Sequence, residues 1–350
     1  MRASAAATMA MALLGVLLAG PPAWGQGGAL PASLWGIYKD RFLEEDGRIV
    51  DNANGGVSHS EGQGYGLLLA FLANSPADFE QIWTFTKTEL MVRDDGLIAW
   101  KWDPDARPHI TDINNASDGD LLVAYSLALA GAAWERHDYL QSAAALARSI
   151  LDHLVVEHGG RTLLMPAAHG FDASARSDGP VINPSYWVFE AFPVMQILQP
   201  SDQWARLALD GEALIKSLRF GPRELPADWV SLARQPKPAQ GFDAVFGYNA
   251  VRIPLYLLRS STKDTALLTQ LKAGMTLADG DLALFDLTRG APAERLTDPG
   301  YTFVNHILAC VLEAKKIPDA ALELTSDHYY PATLHLLGIA HVMEKHRSCL

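Results

Sequence analysis

Apolar residues recur along this chain at helical spacing. Leu67, Leu68, Phe71 and Leu72 follow the i, i+1, i+4, i+5 stripe of a helix packed on one side. The same spacing predicts helices over Leu121–Trp134, Tyr139–His153, Asn183–Leu198, Trp204–Leu218, Asn249–Leu258, Ala266–Met275, Tyr301–Leu312 and Ala332–Met343. Short segments rich in Gly, Pro, Asn and Asp separate them. Apolar/polar alternation is rare and predicts only two short strands, Leu97–Trp102 and Thr162–Met165. About ten helices of roughly 10–18 residues, joined by polar loops, predict an all-α toroid or a stack of helical hairpins. No repeat of fixed length is visible, which argues against a solenoid. The richest loop, residues 220–243, holds four prolines and reads as an excursion from one domain, not a linker between two.

The first 25 residues read differently. Arg2 precedes an apolar run from Ala5 to Leu18 that is too short to span a bilayer, which takes about 20 residues. Gly20, Pro21 and Pro22 break it, and Ala23-Trp24-Gly25 has the small-residue character of a cleavage site. A secretory signal over residues 1–25 is expected, followed by a single domain over 26–350 in the periplasm or outside the cell. No second apolar stretch is long and uncharged enough to cross a membrane. Export would permit a Cys310–Cys349 disulfide; two unpaired thiols are the alternative.

Charge narrows the ligands. Of the 350 residues, Lys and Arg number 28 and Asp and Glu 40, a formal net charge of −12. Nucleic acid and anionic membrane surfaces are therefore poor partners. A neutral or cationic ligand worked on by carboxylates fits better. Two cysteines exclude a disulfide framework, and the eleven histidines show no metal-ligand spacing, so no metal or cofactor is expected.

Two acidic segments carry the chemistry. Ser60-Glu61-Gly62-Gln63-Gly64-Tyr65-Gly66 reads as a capping box that puts Glu61 in the first turn of a helix. The alternate glycines imply close approach to the backbone by a ligand or a second helix. Asn114-Asn115-Ala116-Ser117-Asp118-Gly119-Asp120 opens a second helix, with Ser117 as its cap. Acids are favoured at helix starts by the dipole alone, which explains Asp120 well. Yet two carboxylates on separate loops are what acid–base cleavage of a glycosidic bond requires. Trp100, Trp102, Tyr186, Trp187, Tyr248, Tyr301, Tyr329 and Tyr330 lie in or beside loops, where aromatic faces could stack on sugar rings. Half or more of them are expected to be core.

Taken together, these segments resemble glycoside hydrolase family 8. Ser60–Gly66 looks like that family's proton-donor segment, and Ala116–Asp120 with the helix after it looks like its signature helix. Glu61 and Asp118 stand 118 − 61 = 57 residues apart, in keeping with the family. Ile182–Trp187 (INPSYW), Pro226–Val230 (PADWV) and Gly247–Leu257 (GYNAVRIPLYL) are similar in order and content to later family segments. The resemblance covers residues 33–343. It implies an (α/α)6 barrel and inverting hydrolysis of β-1,4-linked glycans such as cellulose. Glu61 would be the general acid, and Asp118 would bind the sugar and position the water. Trp100, Tyr186, Tyr248 and Arg252 would line the cleft. Secreted endoglucanases that accompany bacterial cellulose synthesis are the most similar members, which makes the cellulose-synthesis machinery a candidate partner.

One position departs from the cellulase pattern. Asn249 stands where those members carry the aspartate that acts as general base. An amide can orient a water but does not by itself hold that water's proton at neutral pH. Asp118 is the first alternative base, then Asp243, with Glu224 and Asp228 behind them. Asn249 also keeps open a chitosanase-type hydrolase of the same family and a weakly active or inactive glycan-binding factor.

Overall fold

The computed structural model describes residues 28–260 and 262–350. The expected signal over residues 1–25 lies outside the described residues. Eleven α-helices are present among those described: α1 Ala32–Phe42, α2 Ser60–Leu72, α3 Pro76–Phe85, α4 Ser117–Ala133, α5 His137–Leu154, α6 Phe192–Leu198, α7 Asp202–Ser217, α8 Ile253–Arg259, α9 Thr265–Met275, α10 Pro299–Glu313 and α11 Tyr329–Lys345.

Their burial sorts them into two rings. In α2 every residue except Glu61 is buried, and all of α8 is buried. Helices α4 and α11 are buried over most of their length. A helix that is apolar all round has to be surrounded by others. The helices between them are one-sided. Helix α5 buries Tyr139, Ala143, Leu146, Ala147, Ile150 and Leu154, and α7 buries Trp204, Leu207, Gly211, Leu214 and Ile215. Alternation of one-sided and fully buried helices makes this chain an all-α (α/α)6 barrel, as its sequence predicts.

Glycine sets the closest crossing in the inner ring. A Cβ on Gly64 of α2 would collide with the Cβ of Leu122 on α4, and a Cβ on Gly119 would strike Ser60. The glycines of the Ser60–Gly66 segment therefore serve helix packing, and this packing brings the starts of α2 and α4 side by side.

Two predicted helices are shorter than their apolar periodicity suggests. Over Asn183–Leu198 the chain makes 3-10 turns at Pro184–Tyr186 and Phe189–Ala191 before α6 begins. Over Asn249–Leu258 a 3-10 turn at Ala250–Arg252 precedes α8. Pro193 and Pro254 are second in their helices. Proline lacks an N–H and is tolerated in a first turn but not in the middle of a helix. The side chain of Asn183 accepts from Ser185 N at 3.1 Å and starts the first of these turns.

The strands are short and sit around one mouth of the barrel. Strand β1 (Ser58–His59) pairs antiparallel with β2 (Lys101–Trp102) immediately before Glu61. Hairpin β3–β4 joins Val155–His158 to Arg161–Leu164. Strands β5 (Val181–Ile182), β6 (Val230–Ser231) and β7 (Lys237–Pro238) fold the proline-rich excursion back onto the barrel. Strand β8 (Val245–Phe246) leads into Asn249 and is extended by a hairpin of β9 (Leu282–Asp286) and β10 (Ala291–Leu296). A disulfide joins Cys310 on α10 to Cys349, with Cα atoms 5.7 Å apart, and ties down the C-terminal turn.

Candidate active site

Two helix starts and one turn meet at a buried guanidinium. Arg252 closes the turn before α8 with only 1 % of its side chain exposed. Its Nη1 donates to Glu61 Oε2, and its Nη2 donates to Asp118 Oδ2 at 2.6 Å. Tyr329 donates to the other oxygen of Glu61 at 3.3 Å, and Gly119 N donates to Asp118 Oδ1 at 2.9 Å. The rings of Tyr186 and Tyr256 each lie 5.6 Å from the guanidinium centre. Glu61 is 20 % exposed and opens to the cleft, whereas Asp118, at 1 %, is sealed behind Arg252.

Burial and charge divide this pair. Burial is the largest influence on Glu61 and acts to raise it, but Arg252, His59 and the Tyr329 hydroxyl together outweigh burial, and the carboxyl lies below its usual range. Burial also raises Asp118; here Arg252 opposes it, the Glu61 charge reinforces it, and the net shift is upward. Because both carboxyls share one arginine, they titrate as a unit.

Neither serine acts as the cap predicted for it. Helix α2 starts at Ser60 itself, with His59 as its N-cap, so the hydroxyl is already inside the helix and finds no partner. Gln63 turns instead to Ile49 N at 2.7 Å and to Gly47 O and Thr86 Oγ1, each at 3.1 Å. Ser117 is likewise the first residue of α4 and unpaired.

Asp120 points away from the cleft. Its oxygens accept from Ile98 N at 2.8 Å and Asn115 Nδ2 at 2.7 Å, and Asn115 Oδ1 in turn accepts from Ala168 N at 2.7 Å. This network holds the loop that carries Trp100. In Asp120→Asn one donor would face another, and Asn115 cannot turn over without losing Ala168. A loss of about 1–3 kcal/mol is expected, read as a lower Tm, with activity largely kept at low temperature. Asp118→Asn sets its new NH2 against Arg252 or Gly119 N and should lower Tm as well; unlike Asp120→Asn, it should also lose turnover severely at low temperature, through the misplaced Arg252. Equal, mild losses of activity in both would reduce Asp118 to a helix-start acid.

The cleft has two parts, which adjoin where His59 stacks on Trp100. One part, about 660 Å³, is lined by Asp51, His59, Glu61, Tyr248, Asn249, Arg252, Glu294, Tyr301 and Tyr330, among others. The other, about 240 Å³, lies between Trp100, Asn114, Phe171, Tyr186 and Trp229. All the predicted site residues except the sealed Asp118 line one part or the other. Tyr248 is 43 % exposed and donates to Glu294 at 2.7 Å. Trp100 stacks with His59 at 6.2 Å and donates to Asp112 at 2.9 Å. Trp102 and Trp187 are core residues.

Of the predicted alternative bases, Asp243 and Glu224 line neither part. Glu224 is exposed and pairs with Arg219 at 3.3 Å. Phe171, Trp229, Asp51 and Glu294 were not singled out from the sequence. Only Trp229 could have been, from its place in the Pro226–Val230 segment. The other three reach the cleft through loop and hairpin folding that apolar spacing does not report.

A helical toroid with a paired carboxylate site in a long aromatic-walled groove defines a glycan-cleaving enzyme. Comparisons agree. The family model described as "Glycosyl hydrolases family 8" matches residues 4–343. The chain is similar to an endoglucanase of Cellulomonas uda, 36 % identical over 299 residues covering 79 % of this chain and 80 % of that protein. It is similar to a probable endoglucanase of Novacetimonas hansenii, 35 % identical over 323 residues covering 87 % and 89 %. Among solved structures, the endo-beta-1,4-glucanase of Acetobacter xylinum superposes with a TM-score of 0.79 at 34 % identity, covering 91 % of this chain and 99 % of that one. The protein belongs to glycoside hydrolase family 8 and is a glycoside hydrolase.

Proposed function

We propose that this enzyme is an exported endo-β-1,4-glucanase that cleaves internal bonds of cellulose-like glucan with inversion, Glu61 serving as general acid. The observation that carries the reading is Glu61 itself. It is the one residue of α2 that is not buried, and it lines the larger part of a cleft whose two parts, both with aromatic rings in their walls, adjoin where His59 stacks on Trp100. Such a groove accepts a chain running through it, which suits cleavage at internal bonds. Names carried by the relatives support glucan as the substrate, and the Cys310–Cys349 disulfide supports an oxidising compartment. A role beside cellulose-synthesis machinery belongs to the same proposal and rests on the resemblance of the sequence segments alone.

The acid must hold a proton when substrate is bound. Burial is already the largest influence on Glu61. A glycan lying across Glu61 removes its remaining water and lets burial prevail over Arg252. Arg252 fills the space between Glu61 and Asp118, leaving no place there for the nucleophilic water. Asp118 therefore acts by holding Arg252 in place, and the water enters from the side of Asn249. Inverting enzymes keep ~6.5–9.5 Å between acid and base to admit that water.

Proton NMR of cello-oligosaccharide digestion tests the proposal. The α-anomer should appear first, and carboxymethylcellulose should release reducing ends. An initial β-anomer would overturn inversion, and absence of turnover on both substrates would overturn the glucanase reading.

A further inference from the structure

The chain has an amide where an inverting cellulase of this family needs a base, and the structure puts a buried carboxylate directly behind that amide. Asp228 precedes Trp229 in the excursion that folds back onto the barrel. It is 7 % exposed. Its Oδ1 accepts from Gly247 N at 2.8 Å and Ala250 N at 2.9 Å. Its Oδ2 faces Asn249, whose backbone N and side-chain Nδ2 both lie 3.4 Å away. Gly247 is required for this approach, since a Cβ there would collide with Oδ2. An ionised carboxylate only accepts, so the amide nitrogen of Asn249 must face Asp228. Asn249 Oδ1 is left toward the cleft, which Asn249 lines together with Glu61 and Arg252.

We propose that Asp228 is the terminal proton acceptor of the reaction, acting through Asn249. The inference rests on the inverting reading given above. As the water oxygen bonds to the anomeric carbon, the glycosidic C–O bond breaks and Glu61 protonates the leaving oxygen. The water's proton passes to Asn249 Oδ1 while an Nδ2 proton passes to Asp228 Oδ2. Asn249 is left as its imidic acid and Asp228 neutral. Return of the proton from Asp228 to Nδ2, with loss of the Oδ1 proton to solvent, restores both groups, and Glu61 regains its proton from solvent. Asn249 alone would be too weak a base, because the proton would have to stay on a neutral amide. With Asp228 behind it, the proton only passes through. Burial raises Asp228 in spite of its backbone donors and makes it a better acceptor than an exposed aspartate.

Asp228 thus acts as a positioning and relay residue, and its test needs a readout that a structural role would not move. Asp228→Asn keeps an oxygen for Gly247 and Ala250. It should lower kcat by at least about 10²-fold while KM stays within about threefold. Asn249→Asp supplies a base in direct reach of the water and should raise kcat. In that background Asp228→Asn should lower kcat by no more than about fivefold, a strong non-additivity. If the double variant loses as much as the single, or if Asp228→Asn leaves kcat unchanged, the relay is wrong. Should Asp228→Asn fail to fold, the solvent-isotope proton inventory of the wild type decides. A plot with cubic curvature is expected, for the two relay protons moving with that of Glu61 in one step, and a straight or merely quadratic plot would overturn the relay. An initial β-anomer would remove the inverting reading beneath it. An α-anomer with unaffected Asp228→Asn would remove the relay alone.

Discussion

Glu61→Gln lowers turnover by at least about 10³-fold, near the upper part of the range for loss of a general acid, because the leaving sugar hydroxyl is a poor leaving group. The amide is almost the shape of the carboxyl. Its oxygen can accept from Arg252 while its NH2 donates to the Tyr329 hydroxyl, which can turn from donor to acceptor, so the fold and glycan affinity persist. What it lacks is a proton that can be given up at neutral pH. Substrates with activated phenolic leaving groups should regain much of the lost rate, since they need little protonation. Cello-oligosaccharide binding measured by calorimetry should stay within about threefold of wild type. A folded variant with turnover within threefold of wild type would remove Glu61 from the chemistry.

Arg252→Met destabilises the protein by about 3–5 kcal/mol at neutral pH, the range for a buried charge stripped of its partner. Here one arginine serves two carboxyls, one of them fully sealed. The sign of the pH dependence follows. Without Arg252, burial, the largest influence on both, is opposed only by His59 and Tyr329 at Glu61 and by Gly119 N at Asp118, and the folded-state pKa values rise above the unfolded ones. A group raised on folding stabilises fully below its unfolded pKa, about 4 for these side chains, and that contribution disappears as pH climbs through the folded value. The deficit against wild type should therefore be small near pH 4 and grow steadily toward pH 8. Thermal unfolding across that range measures it. A deficit that is the same at both ends would mean that Arg252 supports the fold by packing, not by charge. Turnover should fall in the same variant even at permissive temperature, because Glu61 loses the donor that holds it in the cleft.

Much of this protein is written locally. The 3.6-residue recurrence of apolar side chains locates most of the helices, since a helix buries one face or all of them and the spacing reports which. The Ser60–Gly66 and Asn114–Asp120 segments single out Glu61 and Asp118 because glycine-rich acidic helix starts are unusual, and Tyr248–Arg252 marks the third corner of the site. Apolar spacing could not tell a 3-10 turn from an α-helix ahead of Pro193 and Pro254, since both put apolar residues inward. Nor could it tell that Ser60 and Ser117 begin their helices instead of capping them, because a one-residue shift moves a hydroxyl out of reach of the N–H groups it would satisfy.

Only the closed barrel decided how distant residues meet. Arg252 reaches two carboxyls that lie 191 and 134 residues away in sequence, and nothing near Arg252 in the chain encodes that fork. Phe171, Trp229 and Glu294 become walls of one groove because an excursion and a hairpin fold over the same mouth. Asp228 ends behind Asn249 because Gly247 leaves room for it. Local spacing determines which face of each element is apolar. Which polar groups then share one desolvated space is a property of long-range packing, and the chemistry of this site depends on that sharing.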